Sequence, residues 1–130
     1  MSAFDTLRIA NTSLGAHQTW LDALANNIAN ANTISRTDED AFQATYVVFD
    51  SRDDGGVAVT GFESSDAAGR MVNDPASPLA DADGYVRAPD IDMSAQMSEL
   101  IMAQRGFQAS VQTTKHAQET YASALQIGAK

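Results

Sequence analysis

The sequence contains no cysteine. Disulfide frameworks, thiolate metal sites and cysteine nucleophiles are thereby excluded. Cations are also scarce: Lys and Arg number 8 against 17 Asp and Glu in 130 residues, a net charge of −9, and they stand singly between Arg8 and Lys130. Binding to a phosphate backbone requires clustered cations that release counterions, so nucleic acid is excluded as a partner, and an anionic membrane surface is disfavoured on the same ground. Long hydrophobic runs are missing too. No window approaches the roughly 18 apolar residues of a membrane span, so no membrane insertion is expected. Residues 1–10 carry Asp5 and Arg8 within their apolar residues, which does not read as a cleavable signal peptide. The length suits one folded unit, or one unit shared with neighbours.

Apolar residues are present in a regular order at both ends. Leu7, Leu14, Leu21 and Ile28 recur every seven residues, and Ala3, Ala10, His17, Leu24 and Ala31 form a second row. This is a four-heptad seam and predicts a helix to about residue 31, about 42 Å long at 1.5 Å per residue. Ser2 and Asp5 have the spacing of a capping box. Asn30, Asn32 and Thr33 mark the end, since their side chains compete with the helical backbone. A second heptad runs from Met93 onward, with Met93, Leu100, Phe107, Thr114 and Tyr121 in one row and Met97, Gln104, Val111, Gln118 and Leu125 in the other. Asp90 and Asp92 are suitable caps at its start. Gly106 inside this helix costs about 1 kcal/mol relative to Ala, and reads either as a tolerated imperfection or as a close helix crossing where only a hydrogen fits.

Residues 34–92 are rich in Asp, Gly, Pro and Ser. The runs 44–49 and 57–62, separated by Asp53-Asp54-Gly55-Gly56, predict a β-hairpin. From 67 to 89 the prolines at 75, 78 and 89 favour an extended track with turns. The expected architecture is therefore mainly α. Long N- and C-terminal helices (1–33 and 93–130) form a coiled-coil-like pair, and a small hairpin and extended outer segment (34–92) lie between them.

Two helices with an acidic middle make a core only one layer deep. The polar seam residues His17, Gln104, Thr114 and Gln118 are costly if buried alone but act as register devices where several helices meet, and the many alanines of the first helix allow close approach. The pattern therefore points to assembly. Chemistry is poorly represented. His17 and His116 lack ligands at metal spacing, so no metal site is expected and His17 reads as a polar seam residue. No nucleophile elbow or nucleotide loop occurs, and no cofactor or catalytic residue is expected. Asp81-Ala82-Asp83-Gly84 resembles the centre of a calcium loop, but Leu79 would hold its first ligand position and Asp90 its twelfth. A turn in which Asp accepts backbone hydrogen bonds and Gly supplies positive φ is the better reading.

The stretch Ala25-Asn26-Asn27-Ile28-Ala29-Asn30-Ala31-Asn32-Thr33 resembles the signature that ends the N-terminal helix in the flagellar basal-body rod and hook family. Asn27, Ala29, Asn30 and Thr33 occupy its characteristic positions. Three further segments are similar to proximal-rod members of that family: Tyr46-Val47-Val48-Phe49, the run from Pro78 to Pro89, and Ala103-Gln104-Arg105-Gly106-Phe107-Gln108-Ala109-Ser110. Departures are Asp90 for Asn, Gln96 where an acid commonly precedes Met, Phe107 for Tyr and Ser110 for Asn.

The resemblance implies a proximal rod subunit that polymerises helically into the torque-transmitting drive shaft in the bacterial periplasm. Such a subunit is exported through the flagellar type III apparatus without a cleavable signal peptide. The implied partners are copies of itself, axial rod proteins of the FlgB, FlgF and FlgG type, the rod-base adaptor FliE and the MS ring. Helix packing is expected from Leu7, Leu14, Leu21, Leu24, Ile28, Leu100, Phe107, Val111 and Leu125, and inter-subunit polar contacts from Asn27, Asn30 and Arg105. The rival readings are another rod or hook axial protein and a non-flagellar helical adaptor.

Overall fold

The computed structural model describes residues 3–128. Ser2, the expected helix cap, lies outside the described residues. The chain opens with α1 (Ala3–Asn30) and closes with α2 (Met93–Gly128), and between them come β1 (Thr45–Ser51), β2 (Val57–Ser64), β3 (Arg70–Asn73) and β4 (Tyr85–Ala88). Both helices contain no proline and are rich in alanine, the residue of highest helix propensity. Asp92 caps α2: its Oδ1 accepts from the backbone N–H of Ser94 (2.9 Å) and Ala95 (3.1 Å). At the other end of the fold the asparagines close α1, with Asn30 Nδ2 donating to Asn26 O at 2.9 Å and Thr33 N to Asn30 O at 3.0 Å.

The helices run antiparallel. Asn27 lies against Gln96, Ser13 against Ser110, and Phe4 stacks edge-on to Tyr121 with ring centroids 5.0 Å apart. At 1.5 Å per residue α2 is about 54 Å long and α1 about 42 Å. The excess projects past the start of α1, and residues 122–128 are all exposed.

The seam of α2 sits one residue from the row expected on one side. Gln96, Ala103, Ser110 and Ala117 are buried, whereas Met97 is 48% and Leu125 57% exposed. The row through Leu100, Phe107, Thr114 and Tyr121 is half-buried beside them. Bulk suggested the row through Met97, Val111 and Leu125. Close packing selected the small residues instead, because they let the helix backbones approach. On α1 the row through Ala10, Leu24 and Ala31 is buried, and Leu7, Leu14, Leu21 and Ile28 are half-buried.

The expected hairpin forms as β1–β2, antiparallel from Thr45↔Ser64 to Ser51↔Val57 with an irregularity between Val48 and Phe49. A second antiparallel pair, β3–β4, forms where an extended track was expected. The prolines do not oppose it, since Pro75 and Pro78 fall in the connection and Pro89 follows β4. Ser35 bridges to Arg87 at the edge of this pair. The core is thin: apart from Leu24 and Val86, with Pro89 beside them, the buried apolar side chains are all alanines.

Candidate assembly surface

At the middle of the helix crossing, His17 lies on Gly106. A Cβ added to Gly106 would fall within 2.6 Å of His17 Cδ2, so the crossing tolerates only a hydrogen there. This is the close-crossing reading of Gly106. The ring is fixed by Nδ1 donating to Ser13 O at 2.8 Å, a bond that requires the proton on Nδ1. One turn away, Ser110 Oγ donates to Gly106 O (2.9 Å) and accepts from Ser13 Oγ (3.0 Å), so the buried hydroxyl is satisfied. His17 is thus a polar seam residue.

Where α1, α2 and β1 meet, Asn27 is fully buried. Its Nδ2 donates to Thr45 O and to Gln96 Oε1, both at 2.9 Å, and its Oδ1 accepts from Thr45 N at 2.8 Å. The amide mimics a strand partner for Thr45 and ties the start of the hairpin to both helices. Asn27 was expected at a contact between subunits. The structure corrects that: with no exposed atom and every strong bond made within the chain, it is an internal junction. Gln96, which stands where the resemblance has an acid, is buried as the acceptor for this amide.

The far end of the hairpin is also held on α1. Arg8 Nη1 pairs with Asp54 Oδ2 at 2.9 Å and donates to Gly55 O at 3.2 Å, while Nη2 donates to Asp54 O. Asp54 also receives Arg52 through Nε (2.9 Å) and Nη2 (3.1 Å). The Arg52 hydrogen bond holds the Asp54 carboxyl below the usual carboxylate range, assisted by the charges of Arg52 and Arg8. Thr12 Oγ1 donates to Ile9 O (2.7 Å) and accepts from Val57 N (3.2 Å). Between these two anchors Trp20 packs edge-on to Phe49, with centroids 6.1 Å apart.

The outer segment is gathered by Arg87, which donates through Nη1 to Ala68 O and through Nη2 to Thr37 O, both at 2.7 Å, while its backbone exchanges two bonds with Ser35. In the turn before β4, Asp81 Oδ1 accepts from Tyr85 N (2.9 Å) and Asp83 N (3.0 Å), and Gly84 takes φ +82°. The Tyr85 hydrogen bond is the main cause of a lowered Asp81 pKa. This carboxylate serves the turn.

The remaining expected packing residues spread over the surface. Leu100, Phe107, Val111 and Asn30 are half-buried and Arg105 is exposed. The linchpins that sequence reading missed are Gln96, Trp20 and Arg87. Arg87 carried a signal as part of the segment similar to the rod family and Gln96 as a departure from that family's pattern, whereas Trp20 carried none. Among the described residues, no group of three or more His, Asp or Glu side chains is placed to hold a metal ion, and no helix is long and apolar enough to cross a membrane.

Large apolar side chains are left in water. Phe4, Tyr46, Phe49, Phe62, Met71, Tyr85, Met97, Ile101, Met102, Leu125 and Ile127 are each between 37% and 79% exposed. A groove of about 470 Å³ runs between the helices, with Ile9, Ala10 and His17 on one wall and Gly106, Ala109 and Thr113 on the other.

Comparison with known proteins agrees with this architecture. The family described as "Flagellar basal body rod FlgEFG protein C-terminal" matches residues 82–127. The chain is 34% identical to the flagellar basal-body rod protein FlgC of Yersinia enterocolitica and 31% identical to that of Salmonella typhimurium. Each alignment covers 98% of this chain and 99% of the relative. The FlgC of Borreliella burgdorferi is 27% identical, with 98% of both chains aligned. With helix pair, asparagine-rich junction and end-to-end similarity in agreement, the chain belongs to the FlgC family of flagellar basal-body rod proteins.

Proposed function

We propose that this chain is a structural subunit of the proximal rod, polymerising helically into the shaft that transmits torque. The observation that carries the proposal is the imbalance of its core. Eleven large apolar side chains stay exposed, while Leu24 and Val86 are the large aliphatic side chains fully buried among the described residues. A monomer rarely leaves so much apolar surface in water unless another protein covers it. Neighbouring subunits would complete the helical layer, so that stiffness arises from the summed packing of many side chains rather than from any reactive group.

In this reading the partners are copies of the chain, axial rod proteins of the FlgB, FlgF and FlgG type, the adaptor FliE and the MS ring. Delivery to the periplasm is through the type III export apparatus. Half-buried Leu7, Leu14, Leu21, Ile28, Leu100, Phe107 and Val111 would gain burial in the assembly, with exposed Leu125, Arg105 and half-buried Asn30 at its contacts. No catalytic role is assigned to any residue.

The test is circular dichroism of the purified chain across a concentration series, with sedimentation at each point. Helicity that rises with oligomer size supports helices completed by neighbours. High helicity in a monomer at every concentration overturns the proposal in favour of a self-contained adaptor.

A further inference from the structure

We propose that Asp83-Gly84 is a site of spontaneous isoaspartate formation, a covalent modification that accumulates in the outer segment with age, and that Asp54-Gly55 is protected from the same reaction by Arg52 and Arg8. The inference does not depend on the assembly reading.

The sequence holds two Asp-Gly pairs. Glycine has no side chain to shield its nitrogen, so an aspartyl side chain reaches the next backbone N–H most readily in this dipeptide. The fold places both pairs in the same setting. Residues 52–55 and 81–84 each form a turn closed by the glycine N–H, from Gly55 to Arg52 O at 2.9 Å and from Gly84 to Asp81 O at 3.1 Å. The two glycines take nearly equal conformations, φ +86° and +82°, and both aspartates are exposed to water. The backbone therefore favours neither pair.

The carboxyls differ. Both oxygens of Asp54 are held: Oδ1 accepts from Arg52 Nε at 2.9 Å, while Oδ2 accepts from Arg52 Nη2 at 3.1 Å and lies 2.9 Å from Arg8 Nη1. To reach the Gly55 nitrogen this group must leave both guanidiniums. The same cations keep it ionised, the form in which a carboxyl is a poor electrophile. Among the described residues no hydrogen bond or ion pair holds the Asp83 carboxyl, and the bond that residue makes is from its backbone N–H to Asp81 Oδ1, at 3.0 Å. Its side chain is free to turn onto Gly84.

The reaction needs water alone as co-reactant. The Gly84 nitrogen loses its proton and bonds to the side-chain carboxyl carbon of Asp83, a C–O bond of that carboxyl breaks, and water leaves, closing a five-membered succinimide. Water then adds at the main-chain carbonyl of residue 83 and the C–N bond there breaks. The chain is now joined through the former side chain, and the main-chain carbonyl has become a free carboxylate, so the net charge is unchanged.

The product has one more carbon in the main chain between residues 83 and 84. Three bonds span that link: Tyr85 N to Asp81 Oδ1, Asp81 N to Tyr85 O and Asp74 N to Gly84 O, each 2.9 Å. Tyr85 opens β4 opposite Asn73, so that end of the β3–β4 register is displaced first. The helix pair lies outside the turn and is unaffected.

The test is ageing of the full chain in neutral buffer over weeks, with isoaspartate at each pair measured by peptide mapping and electron-transfer fragmentation. It is expected to accumulate at 83 about tenfold or more faster than at 54, the factor for breaking one charge-assisted hydrogen bond. In urea, where both turns are lost, the two pairs are expected to react at similar rates. Asp83→Glu, whose longer side chain must close a six-membered ring, is expected to abolish the signal at 83. Arg52→Ala, which leaves the Arg8 anchor in place, is expected to raise the rate at 54 toward that at 83. Equal rates at the two pairs in the native chain, or no isoaspartate at 83, overturn the proposal. An unchanged rate at 54 in Arg52→Ala also overturns it, since the turn and not the arginine would then be the protection.

Discussion

The terminal helices and the segment between them are held by different means. The outer segment binds itself through polar groups. Arg87 collects two carbonyls from distant loops, Asp81 collects two backbone donors, and Ser35 is paired with Arg87. The helices meet along alanine, serine and glycine, with His17 laid on Gly106, and leave their larger apolar residues outside. Hydrogen bonds are saturable: once made, they ask nothing of a neighbour. Apolar surface keeps its driving force until it is covered. The shape of the middle is therefore set by bonds it makes within itself and that of the helix pair by a seam of small residues, while exposed apolar side chains remain on both, Tyr46, Phe49, Phe62, Met71 and Tyr85 on the first and Phe4, Met97, Ile101, Met102, Leu125 and Ile127 on the second.

The sharpest way to break that distinction is at the point where the two regions join. Asn27→Ala removes three hydrogen bonds and leaves Thr45 N–H and C=O without their partner, which is expected to cost about 3 kcal/mol or more. The loss would appear in urea unfolding followed by the single tryptophan, Trp20, whose contact with Phe49 reports the docking of hairpin on helix. Asn27→Asp should be similarly severe, since a carboxylate can accept from Thr45 N but cannot donate to Thr45 O or Gln96 Oε1.

Next in size, Arg87→Ala should cost about 2 kcal/mol from its bonds to two carbonyls. Its effect belongs to the outer segment alone. Amide exchange is expected to accelerate around residues 35–41 and 67–70 with little change in α1 and α2, and equal acceleration in the helices would remove the distinction between the two regions.

Gly106→Ala tests the helix seam. Alanine adds about 1 kcal/mol of helix propensity, but its methyl collides with a ring that Ser13 O holds in place from α1, a strain of about 1–3 kcal/mol. A net loss in thermal midpoint is expected. In a His17→Ala background the sign should reverse, and a double-mutant cycle reads the coupling. A gain in stability from Gly106→Ala alone would show that the crossing is loose.

The smallest expected effect is acid sensitivity in the outer turn. The Asp81 carboxyl is held below its ordinary value, chiefly by the Tyr85 N–H. Its contribution is therefore fully present above the unfolded-state value and is lost as pH falls through the folded one. The stability difference between the native chain and Asp81→Asn, measured by urea midpoints at neutral pH and near pH 3, should shrink on acidification. A constant difference would mean that the carboxylate charge is irrelevant to the turn.

Features that depend on neighbours in sequence were legible before the fold. The heptads located both helices, Asp53-Asp54-Gly55-Gly56 located the first hairpin, and Asp81 with Gly84 located a turn. Features set by distant partners were not. Asn27 meets residues 18 and 69 positions away, and nothing local distinguishes an asparagine that faces inward from one that faces a neighbouring subunit. The contact row of α2 was displaced by one residue because hydrophobic bulk marks a seam only when large residues fill it, and here closeness of backbones was selected instead. The second strand pair is short, and three prolines near it conceal that none lies within it.

The hairpin is bonded to α1 at both of its ends, through Asn27 at one and through Arg8 with Asp54 at the other, with Trp20 packed on Phe49 between them. These anchors are 19 residues apart, about 28 Å along the helix axis. A beam riveted to a plate at both ends cannot flex by itself, because any curvature lengthens one member against the other and loads the rivets in shear. The hairpin is thus a splint on α1, and a load bending that helix reaches the outer segment through two arginine- and amide-bonded joints.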